Sequence, residues 1–167
     1  MDRETLRWSG IETGLGLALV ARSDAGLRLV TLGDEVDALR SDLEKRFKYA
    51  RIVRDDTGLV AELRAVADLI DHPGRRPPLP IDARGTDLQK AVWAALREIP
   101  TGQTASYADI AKAIGRPSAA RAVAQACAAN PLAVITPCHR VVRADGGLSG
   151  YRWGVERKAA LLAREAA

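Results

Sequence analysis

The stretch Asp71-His-Pro-Gly-Arg-Arg-Pro-Pro-Leu-Pro80 limits the possible folds of this chain more than any other. Its four prolines and one glycine remove backbone donors and fix φ, so neither a helix nor an inner strand can run through it. It is therefore a linker, and the 167-residue chain has to fold as two parts, 1–79 and 80–167. Each part must bury its own apolar surface. With only one Phe, three Tyr and three Trp, those cores are built mainly from Ala, Leu, Val and Ile.

The two parts carry different periodicities. Between Arg7 and Leu32, alternating apolar residues are punctuated by Gly14, Gly16 and Ser-Asp-Ala-Gly26, which predicts a β-hairpin or meander. Val36, Leu39, Leu43 and Phe47 share one helical face and predict a helix over 34–48. A strand at 50–53 and a second amphipathic helix at 57–71 follow. Beyond the linker the pattern is mostly helical. Thr86 can cap a helix running to about Glu98, and Ser106-Tyr-Ala-Asp109 resembles a capping box with Asp in place of Glu or Gln. Gly115-Arg-Pro-Ser118 reads as a tight turn. A helix over Ala119–Ala129 then stops at Asn130-Pro131, and Val155–Ala166 reads as the last helix. The expected class is α/β (α+β), with a helix-turn-helix at about 106–130.

Charge separates the parts again. Residues 1–83 hold 13 Lys/Arg and 15 Asp/Glu, a net of −2, whereas 84–167 hold 12 and 6, a net of +6. An excess of positive charge confined to one half fits a polyanion-binding face. No run approaches ~18 apolar residues and no secretory pattern opens the chain, so a soluble, cytoplasmic protein with no membrane partner is expected. Cys127 and Cys138 are the only cysteines and His72 and His139 the only histidines. Without CxxC or HxxxH spacing they make neither a disulfide framework nor a dedicated zinc site, and no cofactor is expected.

The chemistry concentrates at Thr-Pro-Cys-His-Arg-Val (136–141). A thiol is a useful nucleophile as its thiolate, which nearby cations or a proton-accepting imidazole can generate. His139 adjoins Cys138, Pro137 fixes the backbone before it, and Arg140 and Arg143 add positive charge. A half-buried thiol beside a structural histidine would look the same in isolation. The helix 119–129 is also unusual, with seven alanines and with Arg121 and Gln125 as its long polar side chains. Close packing accounts for most of the alanines. Major-groove reading normally uses several long hydrogen-bonding side chains, so a nearly bare helix with one arginine suits closer approach and insertion of Arg121 into a base stack.

Six motifs then occur in order: Thr-Asp-Leu-Gln-Lys-Ala-Val-Trp (86–93), Ile-Pro-Thr-Gly-Gln-Thr-Ala-Ser-Tyr (99–107), Ala-Ala-Arg-Ala-Val (119–123), Ala-Asn-Pro (129–131), Pro-Cys-His-Arg-Val (137–141) and Gly-Tyr-Arg-Trp-Gly (150–154). Together they resemble the O6-alkylguanine-DNA alkyltransferases, or methylated-DNA–protein-cysteine methyltransferases. Gly-Tyr-Arg-Trp-Gly-Val-Glu-Arg-Lys is especially similar to the C-terminal half of bacterial Ada proteins. The resemblance is strong over 80–167 and weaker before it.

The resemblance implies an RNase H-like antiparallel sheet with helices in the N-terminal part and single-turnover alkyl transfer in the C-terminal part. Cys138 would take the alkyl group from guanine O6 as a thioether. His139 would accept the thiol proton through a water, Glu165 would orient the imidazole, and Asn130 would brace the turn before the cysteine. Tyr107 would face the flipped base, and Arg121 would replace it in the duplex. Ala120, Ser118 and Gln125 would lie along the DNA-facing helix. Pro137, Val141, Arg152 and Trp153 would shape the pocket, the backbone carbonyls of Cys138 and Val141 receiving the exocyclic amine and the Arg152 N–H approaching O6. The implied partner is double-stranded DNA containing O6-alkylguanine, bound by a monomer, with cooperative assembly left open.

Two positions depart from the family pattern. Leu88 stands where Phe is usual, and Trp153 replaces a residue that can be Gly, which should narrow the pocket against benzyl adducts. Cysteine at 138 argues against the relatives that bind lesions without reacting. The metal-cysteine regulatory region of full Ada proteins is not in this sequence, so transcriptional activation is not expected; whether Met1 is a natural start is open. So are O4-methylthymine and larger alkyl groups as substrates. Two other readings stand beside this one. A DNA-binding module would explain the basic half but leaves Cys138, His139 and Glu165 without a purpose. A cysteine hydrolase would use a Cys–His pair, but adjacent side chains rarely converge and no oxyanion-hole signature is evident.

Overall fold

The computed structural model describes residues 3–74 and 78–167, so positions 75–77 of the expected linker lie outside the described residues. Two compact units divide between Ala83 and Arg84. Residues 80–82 belong with the first unit because Leu27 N–H donates to Pro80 O (2.9 Å), Asp82 N–H donates to Leu27 O (2.8 Å), and Ser23 Oγ bonds Asp82 (2.5 Å). Gly26 permits this approach: a Cβ there would lie 2.6 Å from Pro80 backbone atoms.

The first unit runs β1 (Thr5–Thr13), β2 (Gly16–Arg22), β3 (Leu27–Gly33), α1 (Val36–Arg46), β4 (Arg51–Arg54) and α2 (Val60–Asp71). The meander read from the alternation is β1–β2–β3, all antiparallel, with Trp8 opposite Ala21 and Val20 opposite Val30. The sheet order is β3-β2-β1-β4, and β4 lies parallel to β1. The expected antiparallel sheet is therefore mixed. The reason is α1: a helical crossover carries the chain from β3 to the opposite edge, which a tight hairpin cannot do. Leu39 and Leu43 of α1 pack with Trp8, Leu19, Ala21 and Leu29, and half-buried Val36, Phe47 and Ile52 extend that cluster. Phe47 caps α1 rather than extending it. Helix α2 buries Leu63, Val66 and Ile70.

The second unit contains α3 (Asp87–Arg97), β5 (Ala105–Ser106), α4 (Tyr107–Ala113), α5 (Ala120–Ala128), a single 3-10 turn at Cys138–Arg140, β6 (Val141–Val142) and α6 (Val155–Ala166). Both expected N-caps form reciprocal capping boxes, Thr86 with Gln89 and Ser106 with Asp109. In the second, Asp109 accepts the Ser106 N–H at 3.0 Å, so the shorter acid still reaches. Each box satisfies two of the donors a helix start leaves free. Trp93 ties α3 to α5 through its indole N–H to Ala126 O at 2.9 Å. The two-residue strands β5 and β6 pair in parallel, Ala105 with Val141 and Ser106 with Val142, which brings the start of α4 beside the Cys138 turn. No helix among the described residues is long and apolar enough to cross a membrane.

Candidate active site

The cysteine is placed by the loop between α5 and the 3-10 turn. Asn130, fully buried, accepts the Leu132 N–H (2.9 Å) and donates to Thr136 O (2.8 Å) and Cys138 Sγ (3.2 Å). One side chain thus closes a loop of irregular backbone whose polar groups would otherwise be unpaired. Two tight reversals shape the same loop. Val134 has φ +63°, rare for a β-branched residue, and Ile135 N–H bonds Ala133 O across it at 2.7 Å. Pro137, at φ −81° and ψ 64°, forms an inverse γ-turn, with Cys138 N–H bonded to Thr136 O at 2.8 Å. The proline read as fixing the backbone before the thiol therefore does so within a three-residue turn.

Cys138 is 6% exposed, and burial pushes its thiol up to about 11, against the Asn130 hydrogen bond and the Lys158 charge. The expected cationic activation by Arg140 and Arg143 is not what the structure shows. Arg140 is committed to Glu165 (2.6 Å), Ile99 O (2.7 Å) and Thr101 Oγ1 (3.1 Å), and Arg143 lies by Asp145 at 3.7 Å. Each guanidinium is drawn away by its own acceptors. The resting group is a neutral thiol that must lose its proton to react.

His139 and Glu165 do meet. The imidazole Nε2 lies 3.1 Å from Glu165 Oε1, with both side chains almost wholly buried (2% and 4% exposed). Burial raises the Glu165 carboxyl, but hydrogen bonds from His139 and Arg140 outweigh it and hold the group below its ordinary value. Burial also lowers His139, against the pull of Glu165, so the ring is neutral near pH 7. An ionised Glu165 requires Nε2 to carry the hydrogen, leaving Nδ1 as the acceptor; that buried atom bonds no described protein group. A neutral imidazole with a free acceptor nitrogen, held by a carboxylate on its other side, is suited to take up a proton.

The cysteine lines a cavity of ≈380 Å³ with Tyr107, Ala124, Cys127, Tyr151 and Arg152 among its walls. Alanine at 124 and 128 leaves the space open. Tyr107 bonds Ser149 Oγ (2.5 Å), and Lys158, 1% exposed, donates to Ser149 Oγ (2.9 Å) and Val141 O (2.6 Å). Arg152 donates to Asn130 O at 3.0 Å. Among the expected pocket residues, Arg152 lines the cavity. Trp153 sits behind Tyr151, edge-on at 5.2 Å between ring centres, while Val141 and Pro137 support the Cys138 turn from either side. Lys158, Ser149, Tyr151 and Cys127 were not read as site residues. A lysine in an amphipathic helix looks solvated, and only its burial beside a cysteine marks it.

Of the residues expected to face DNA, Tyr107 lines the cavity and the others lie at the start and along the outer face of α5. Ser118, Arg121 and Gln125 are exposed and Ala120 half-exposed. Arg121 makes no ion pair or hydrogen bond to the described residues, whereas Val123, Ala126 and Cys127 point inward. Among the described residues no group of three or more His, Cys, Asp or Glu side chains could hold a metal ion.

Comparison with known proteins places the chain in a family. Residues 87–167 match the family described as 6-O-methylguanine DNA methyltransferase, DNA binding domain. The chain is 50% identical over 161 residues to the bifunctional transcriptional activator/DNA repair enzyme Ada of Escherichia coli, covering 96% of this chain and 46% of that protein. It thus spans about half the length of its Ada relatives. It is 38% identical over 162 residues to the inducible methylated-DNA–protein-cysteine methyltransferase of Bacillus subtilis, covering 96% of this chain and 90% of that one. Among solved structures, Mycobacterium tuberculosis OGT in complex with DNA is similar at a TM-score of 0.79 and 34% identity, over 97% of this chain and 92% of that one. The chain belongs to the methylated-DNA–protein-cysteine methyltransferase family.

Proposed function

We propose that this protein repairs DNA by taking the alkyl group of O6-alkylguanine onto Cys138, once and irreversibly. The observation that carries the reading is the buried thiol in a cavity, held by Asn130 and followed by a neutral His139 that Glu165 orients. In the reaction His139 accepts the thiol proton through a water. Sγ attacks the alkyl carbon in line, the carbon–O6 bond breaks, and its electron pair passes to the purine. Tyr107 donates a hydrogen bond to the departing base, offsetting the developing charge. The thioether has no leaving group that water can displace, so the protein acts once.

The same reading makes α4 and α5 a helix-turn-helix that enters the minor groove. Arg121 fills the stack behind an extruded base, and Ala120, Ser118 and Gln125 run along the DNA; the exposure of these residues and the bare surface of α5 support this. The protein binds duplex DNA as a monomer. The order β3-β2-β1-β4, with a parallel strand added beside an antiparallel meander, supports an RNase H-like first unit. Trp153, packed behind Tyr151, limits how far that wall can yield, so benzyl adducts react more slowly than methyl adducts.

Titrating the protein with excess duplex carrying O6-methylguanine tests this. Loss of lesion should stop at one equivalent per protein. Continued turnover would point to a hydrolase, and binding without loss to a lesion-recognition module.

A further inference from the structure

We propose that Ser149 is a positioning residue for alkyl transfer, coupling the buried Lys158 ammonium to Tyr107 so that the phenol hydrogen points into the cavity. The inference rests on the reading of the cavity as the alkylguanine site. An ammonium has donors and no acceptor, so in the 2.9 Å contact Lys158 gives and Ser149 Oγ receives. The second ammonium hydrogen goes to Val141 O at 2.6 Å, which anchors Lys158 behind the pocket. A serine oxygen already polarised by a cation is a weaker acceptor, and its own O–H is a stronger donor. Across the 2.5 Å contact the favoured order is therefore Ser149 O–H to Tyr107 oxygen. That order leaves the tyrosine hydrogen for a ligand, and Tyr107 lines the cavity with Cys138.

In the opposite order Tyr107 would spend its only hydrogen on Ser149 and offer the base an oxygen lone pair. The charge on Lys158 decides between the two orders. The consequence appears when the carbon–O6 bond breaks and its electron pair enters the purine: a donor already aligned stabilises that charge without rearranging. No proton has to leave Lys158. The ammonium acts through two hydrogen bonds, which strengthen as the base becomes more negative.

Single-turnover transfer from a duplex carrying one O6-methylguanine tests this in four proteins: wild type, Ser149→Ala, Tyr107→Phe and the double variant. Ser149→Ala should slow transfer about tenfold, the scale of one hydrogen bond in a charged network. Affinity for the lesion duplex should stay the same, and Ser149→Thr, which keeps the hydroxyl, should restore most of the rate. In the Tyr107→Phe background, Ser149→Ala should change nothing further. Equal losses in both backgrounds would mean that Ser149 serves only the loop and would overturn the proposal, as would a wild-type rate in Ser149→Ala. A wild-type protein that never methylates Cys138 would overturn the alkyltransferase reading itself, and this inference with it.

Discussion

The two units bury polar groups in different ways. In the sheet unit, buried Arg28 (9% exposed) and Glu62 (8%) each reach a partner nearer solvent: Glu4 at 3.0 Å and Arg22 at 2.7 Å. In the helical unit both sides of the contact are enclosed. His139, Glu165, Asn130, Thr136 and Lys158 are almost wholly buried, and Asn130 bonds the Cys138 thiol. A pair with one partner near solvent can be lost at lower cost, because water reaches part of the vacated site. An enclosed network is stable only when complete, since each deletion strands a buried group. The sheet unit uses its polar contacts to finish a core, whereas the helical unit encloses a polar network beside a buried thiol.

The largest effect expected from breaking that contrast follows Glu165→Gln. It removes the carboxylate shared by His139 and Arg140 and leaves a buried guanidinium without its counter-charge. Alkyl transfer should fall about 100-fold, and denaturant unfolding should show a loss of roughly 3 kcal/mol. Next is Asn130→Ala, which frees Leu132 N–H and Thr136 O inside the loop and should cost about 2–3 kcal/mol. Glu4→Ala in the sheet unit should cost less, about 1–2 kcal/mol, because it removes a single charged partner that itself lies near solvent. Equal costs at the two sites would dissolve the contrast.

Acid sharpens it further. Folding lowers both His139 and Glu165, so the unfolded chain takes up protons first and each group loses its contribution as pH falls. His139 loses its contribution first, from its ordinary 6.5 downward, and Glu165 follows from 4.5. Stability measured in urea should therefore drop between pH 7 and pH 5, and a His139→Gln variant should flatten that part of the curve. With the thiol pushed up to about 11, iodoacetamide should label Cys138 about tenfold faster per pH unit across pH 7–10. A plateau by pH 8 would show a thiolate already formed. The smallest effect on stability is Arg121→Ala, within about 0.5 kcal/mol because the side chain is exposed and unpaired. Its loss should instead appear in the rate of transfer from duplex DNA.

Much of this fold was legible because it is local. The meander, α1, α2 and the two capped helices follow from alternation, helical spacing and Ser or Thr at the right offset. The parallel placement of β4 was not, since its partner lies more than forty residues away and nothing in Arg51–Arg54 names it. At the site, Cys138 and His139 were visible as neighbours, and Glu165 entered only through the family pattern. Lys158 and Ser149 were hidden for a physical reason. In sequence a lysine near a helix start and a serine between glycines look solvated, and only packing shows that one is enclosed and bonded to the other. The error over Arg140 and Arg143 has the same root. Nearness in sequence suggested that their charge acts on the thiol, whereas in the fold it is taken by Glu165 and Asp145.

The most direct test is intact-protein mass after incubation with excess O6-methylguanine duplex, beside Cys138→Ala and undamaged DNA as controls. A single gain of one methyl (about 14 Da, the expectation for an alkylated cysteine nucleophile), mapped to Cys138 and absent from both controls, is the predicted result. An unchanged mass in a folded, DNA-binding protein would contradict the account, and so would a methyl group mapped to Cys127.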